Sequence, residues 1–156
     1  MKGSGLLLKL EVSSDPRLLC VVRAAVENFT EICGFSPPAC RAVTRAVDEA
    51  VANVIRHAYG NKPDQWIEIT CRLVEPEVAG QGVPSLEIVM LDEGVPFEPD
   101  KVKERSLDEV KPGGLGLHFI RDSMDLMEHR RVGKQNQLRL VKQVKAEKPI
   151  QACEGE

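Results

Sequence analysis

The stretch Glu49-Ala50-Val51-Ala52-Asn53-Val54-Ile55-Arg56-His57-Ala58-Tyr59 carries two patterns at once. Val43, Val47, Ala50, Val54 and Ala58 recur at helical spacing and form one apolar stripe. Glu49, Asn53 and His57, four residues apart, stack on one flank beside that stripe. A polar row at the edge of a buried face points into a cleft and not into bulk water. A carboxylate and an amide oxygen one turn apart suit Mg²⁺, which takes hard oxygen ligands and keeps several waters. The carboxylate can equally act as a general base on a hydroxyl or water. The row also reads as a helix boundary whose polar groups are satisfied within the protein, and Asp48 reads as solvated.

Working outward, Ser36 caps this helix, with Pro37 and Pro38 just inside it, and Gly60, Asn61 and Pro63 end it after Tyr59. An earlier helix is expected from Pro16, capped by Ser13, Ser14 or Asp15, to about Cys33, where Gly34 closes it. Its core positions are Leu18, Leu19, Val22, Ala25, Val26 and Phe29. Leu6 to Val12 and Trp66 to Val74 read as strands. Ser85 to Leu91 is a nearly continuous apolar strand, as expected at a sheet centre. Residues 92–112 look irregular. A helix opens at Leu115 to Leu117 and runs to about Leu126, with Leu117, Ile120 and Met124 inward. Two strands follow, Met127 to Val132 and Gln137 to Val144, joined by a turn over Gly133 to Asn136. This order predicts an α+β, two-layer sandwich: helices on one face of a mixed, mostly antiparallel sheet. Residues 1–145 read as one domain and 146–156 as a polar, disordered tail.

Two further motifs fall at element ends. Asp92-Glu93-Gly94 closes an apolar strand, where a carboxylate can accept a hydrogen bond from a ligand amino group and Gly94 allows close approach of the backbone. Gly113-Gly114-Leu115-Gly116-Leu117 directly precedes a helix, so free N–H groups and the helix dipole favour a phosphate. Taken singly, the first also reads as a plain turn and the second as a flexible hinge. The glycine run matches neither the P-loop nor the dinucleotide fingerprint.

Bulk properties narrow the class. Hydrophobic residues are 42% and charged residues 29% of 156, which places the chain among globular proteins and not disordered ones. A formal net charge of -3 gives no reason to expect direct nucleic-acid binding. The five cysteines include no C-x-x-C pair, which argues against structural zinc and for reduced thiols. No run approaches the ~20 apolar residues of a membrane span. Leu6-Leu7-Leu8, broken by Lys9 and Glu11, is too short for a signal peptide. No membrane association is expected.

Together and in this order, the three motifs resemble the N-box and the two glycine boxes of the GHKL ATPases. That superfamily comprises gyrase-type topoisomerases, heat-shock chaperones, sensor histidine kinases and anti-sigma kinases. Glu49 to Tyr59 and Asp92-Glu-Gly94-Val-Pro-Phe97-Glu-Pro99 are most similar to the bacterial anti-sigma factor serine/threonine kinases. The resemblance implies a protein kinase that binds ATP, ADP and Mg²⁺ in the bacterial cytoplasm. It implies partners too: a sigma factor, a small anti-sigma antagonist that receives the phosphate, and a second copy of the chain. By the same resemblance Glu49 is the general base and Asn53 the Mg²⁺ ligand. Asp92 binds the adenine amino group with Gly94 lining the base. Gly113, Gly114, Leu115, Gly116 and Leu117 hold phosphates, and His57 belongs to the ATP site without a defined role. Residues 100–112 would form a lid, with Lys103, Arg105 and Lys111 as candidate phosphate contacts. One departure stands out. Many relatives carry Gly-Thr before the last strand, where this chain has Asn136 and Gln137.

Two other readings compete. One is a regulatory module that holds ATP but transfers phosphate poorly; the presence of both Glu49 and Asn53 favours the enzyme. The other is a stand-alone histidine kinase-like ATPase domain. Against a sensor kinase, the residues before Ser36 leave no room for a dimerisation hairpin bearing a phospho-acceptor His.

Overall fold

A computed structural model describes residues 5–76, 82–98 and 116–145. Among these, five strands form one sheet: β1 (Leu7–Ser13), β2 (Trp66–Val74), β3 (Ser85–Asp92), β4 (Leu126–Val132) and β5 (Gln135–Gln143). Their order is β1-β2-β3-β5-β4, and all four pairings are antiparallel. Three helices lie against one face: α1 (Leu19–Ile32), α2 (Pro37–Asn53) and α3 (Gly116–Ser123). This is the expected two-layer sandwich.

Local chemistry explains the helix starts. Asp15 accepts the Arg17 N–H at 2.9 Å, and Pro16 opens a 3-10 turn that leads into α1. Ser36 makes no side-chain cap bond; Pro37 and Pro38 instead fill positions where no N–H is required. Past Asn53 the helix widens into a π turn over Val54–Ala58, in which the Tyr59 N–H reaches the Val54 carbonyl at 3.0 Å. π turns inside helices are rare and concentrate at functional sites.

The core is built from alternate strand residues meeting the helix stripes. Ile67, Ile69 and Cys71 of β2 and Leu86, Ile88 and Met90 of β3 are essentially sealed from solvent. They pack with Val22, Val26 and Phe29 of α1 and Val43, Val47 and Ala50 of α2. Burial pushes the Cys71 thiol up to about 12, so it behaves as a small apolar side chain. None of the four described cysteines is in a disulfide. Asp48, read as solvated, pairs with Arg23 of α1 at 3.0 Å.

The opposite sheet face is covered by charge. Arg72 and Arg139 flank Glu87 at 2.6 and 2.8 Å, Arg139 continues to Glu128 at 2.9 Å, and Lys9 pairs with Glu68 at 2.9 Å. Burial would raise the Glu87 carboxyl, but hydrogen bonds from Arg139 and Arg72 hold it below its ordinary value. The centre of the sheet thus carries a wet, paired network and not a bare apolar patch.

One boundary differs from expectation in a way that matters. The β4–β5 turn is only Gly133–Lys134, so Asn136 is not a turn residue. It lies within β5, opposite Asp92 of β3. The tail, 146–156, is outside the described residues.

Candidate functional site

Helix α2 is the hub. Glu49 and Asn53, both half-buried, face the first residue of α3. A β-carbon on Gly116 would stand 2.8 Å from Glu49 Oε2 and 3.7 Å from Asn53 Nδ2, so the helices approach this closely because residue 116 has no side chain. One turn back, the Arg45 guanidinium lies 3.6 Å above the centre of the Phe119 ring and staples α3 to α2. The Asn53 amide oxygen accepts a long, weak 3.3 Å bond from Arg56. His57 falls in the π turn and is exposed.

The other end of the site is the turn after β3. Asp92 is 5% exposed, and its Oδ1 accepts the Gly94 N–H at 2.9 Å. Gly94 is pressed against the end of the π turn: a β-carbon there would meet the Ala58 carbonyl oxygen at 2.4 Å and carbonyl carbon at 2.6 Å. The Val95 N–H donates to that same Ala58 oxygen at 2.9 Å. The Tyr59 hydroxyl accepts the Glu93 N–H at 2.8 Å and donates to the Trp66 carbonyl. Three ties therefore fix the Asp92 turn to the end of the π turn.

Residues from β4 and β5 complete this end. The Asn136 amide donates to Asp92 Oδ1 at 2.7 Å and to the Val95 carbonyl at 2.9 Å. Arg131 donates to the Asn136 oxygen at 2.8 Å and to the Gly94 carbonyl at 3.1 Å. The His129 and Phe97 rings pack at a tilt of 41°, their centres 4.4 Å apart. Burial lowers the His129 imidazole below its ordinary value, and the nearby Asp92 charge opposes this. Sequence reading noted Asn136 only as a departure and gave Arg131 and His129 no role at the site. The alternation of Met127, His129 and Arg131 along β4 was the signal available for them. Leu117 packs against the core from α3. Gly113, Gly114, Leu115, Lys103, Arg105 and Lys111 lie outside the described residues.

The arrangement spaces two chemistries along one helix. Glu49 and Ala58 are nine residues apart, about two helical turns. One end offers a carboxylate beside a helix N-terminus; the other offers a buried carboxylate in a tight turn. Among the described residues no group of three His, Cys, Asp or Glu side chains could hold a metal alone. Glu49 and Asn53 fit Mg²⁺ as a partial donor set, since this ion takes most of its ligands from water and phosphate.

Residues 12–142 match the family model described as histidine kinase-like ATPase domain. The chain belongs to that family. It is similar to serine-protein kinase RsbW of Bacillus subtilis (strain 168), 26% identical over 133 residues, covering 80% of this chain and 78% of the relative. It is also similar to serine/threonine-protein kinase BtrW of Bordetella bronchiseptica, 32% identical over 102 residues, 63% of this chain and 66% of the relative. Among solved structures, the RsbU and RsbW domains of Rv1364c from Mycobacterium tuberculosis superpose with a TM-score of 0.64 at 13% identity. That match covers 89% of this chain and 32% of the other, and establishes the fold. Among the described residues no helix is long and apolar enough to cross a membrane.

Proposed function

We propose that the chain is an ATP-dependent protein serine/threonine kinase that acts as an anti-sigma factor and phosphorylates a small antagonist protein. One observation carries this reading: α2 holds Glu49 against the start of α3, and the π turn that continues α2 holds the Asp92 turn. An extended nucleotide would lie between these two ends, its base at Asp92 and its phosphates at α3. The kinase names of the relatives favour protein hydroxyls as acceptors.

In this reading Asp92 accepts a hydrogen bond from the adenine amino group, and Gly94 lines the ring. Backbone N–H groups around Gly116 and the α3 dipole hold the phosphates. Mg²⁺, when bound, neutralises charge on the phosphates. Asn53 helps hold that ion. Glu49 takes the proton from the serine or threonine hydroxyl as its oxygen bonds the γ-phosphorus. The bond from that phosphorus to the bridging oxygen breaks and ADP leaves.

A homodimer in a bacterial cytoplasm completes the proposal. Among the described residues the sheet face away from the helices bears ion pairs, so the edge strand β1 is the better candidate surface. Its Leu7 and the preceding Leu6 are 63% and 42% exposed, and among the described residues one side of its backbone is unpaired.

The test is incubation with labelled ATP and Mg²⁺ alongside the small antagonist proteins of the same organism. Phosphoserine or phosphothreonine on one of them is expected. Tight ATP binding without transfer to any of them would leave the ATP-holding module as the better reading.

A further inference from the structure

The Asp92 carboxylate is held by more than its own turn. Its Oδ1 accepts from the Gly94 N–H at 2.9 Å and from Asn136 Nδ2 at 2.7 Å; Oδ2 has no hydrogen-bond partner among the described residues. Asn136, 3% exposed, sits opposite Asp92 in the β3–β5 ladder. Both of its amide hydrogens are committed, one to Asp92 and one to the Val95 carbonyl at 2.9 Å. Its oxygen is committed to the Arg131 guanidinium at 2.8 Å.

These partners leave the amide one orientation. Turned over, its oxygen would face the Asp92 carboxylate and the Val95 carbonyl, and its NH₂ would face a guanidinium. Every contact would then pair like with like. Arg131 thus sets the sense of the amide, and the amide sets the plane of the carboxylate. Asn136 therefore has no donor left for a ligand.

We propose that Asn136 and Arg131 are positioning residues for nucleobase recognition, acting through Asp92. They immobilise Oδ1 so that Oδ2 is presented to the exocyclic amino group of a 6-aminopurine. This rests on the assignment of Asp92 to the base. An unconstrained carboxylate would swing between its partners, and discrimination for the amino group would fall even though Asp92 remained.

The experiment measures Mg²⁺-dependent binding of ATP and of purine riboside triphosphate, which lacks the amino group, by calorimetry. Wild type is expected to prefer ATP by about tenfold or more, the weight of one hydrogen bond to a charged group. Asn136→Ala should shrink that preference below about threefold while purine riboside triphosphate binding stays within about twofold of wild type. Asn136→Thr, which restores one donor, should recover part of the preference. Arg131→Met, at an exposed position, should reduce the preference by a smaller factor, and it keeps the test decisive if Asn136→Ala does not fold. If Asn136→Ala or Arg131→Met weakens both nucleotides equally and leaves the preference intact, the residues are merely structural and the inference is overturned. If wild type shows no preference, or Asp92→Ala keeps it, the assignment of Asp92 to the base fails, and the inference with it.

Discussion

The Glu49 carboxylate stands directly against the α-carbon of Gly116, with 2.8 Å from Oε2 to where a β-carbon would lie. The start of α3 and the polar row of α2 are therefore one packed unit. Gly116→Ala is expected to test that contact. The obstructing atom is the end of a flexible side chain and not backbone, so the fold should survive with a melting temperature close to wild type. Glu49 must move by a sizeable fraction of an ångström, and phosphate transfer should drop by about 10²-fold. Transfer at the wild-type rate would mean that this contact does not place the base.

Gly94→Ala should fail differently. Its β-carbon would meet the Ala58 backbone, 2.4 Å from the oxygen and 2.6 Å from the carbon, and backbone cannot rotate away. The expected cost is about 1–3 kcal/mol of stability, the range for overpacking. ATP affinity should weaken as well, because the Asp92 turn loses its seat on the π turn. Urea denaturation together with calorimetry reads both effects.

Glu49→Gln and Asn53→Ala separate base from metal ligand. The first keeps shape and removes basicity, so ATP binding should stay near wild type while transfer falls by about 10²–10⁴-fold. The second should weaken Mg²⁺-dependent binding and transfer together. Rapid transfer by Glu49→Gln would move the base role to another residue.

His129 predicts a pH dependence of stability. Its folded pKa lies below the unfolded value of about 6.5 because burial disfavours the charged ring. The unfolded chain then binds more protons in this window, so stability rises with pH there. The contribution is fully present above about 6.5 and is lost as pH falls through the folded value. Urea midpoints at descending pH should decline for wild type and decline less for His129→Phe over the same interval. The Glu87 contribution, also a lowered pKa, is lost only at more acidic pH, below its ordinary 4.5. Identical slopes for wild type and His129→Phe would refute the His129 assignment.

Thr44→Val should stabilise the protein. The Thr44 hydroxyl on α2 is buried and has no hydrogen-bond partner among the described residues. Valine keeps the shape and removes a polar group held away from water, worth about 1 kcal/mol. A loss of stability in this variant would reveal a partner for the hydroxyl.

Much of this was legible along the chain. Stripes at helical spacing marked α1 and α2, and β2 was expected at its observed bounds, Trp66 to Val74. The nearly continuous apolar run of β3 suggested a place at the sheet centre, and it lies between β2 and β5. These features were readable because a local period states which face of an element is buried, whatever it is buried against. The three motifs could be named for the same reason: each is a short run at the end of one element.

What the chain order could not supply is which ends meet. Asp92 and Asn136 touch because β5, the last strand, inserts between β3 and β4 and pairs in one register; a shift of one residue would turn Asn136 to the other face. Likewise the π turn that holds His57 closes with the Val54 carbonyl taken by Tyr59 and the Ile55 carbonyl by Asn61, bonds that no periodicity announces. Hydrophobic patterning thus determined the elements and their inward faces. Strand order, register and the Arg131–Asn136–Asp92 chain of hydrogen bonds were decided only on closure of the sheet, when distant backbone and polar groups had to find partners out of water.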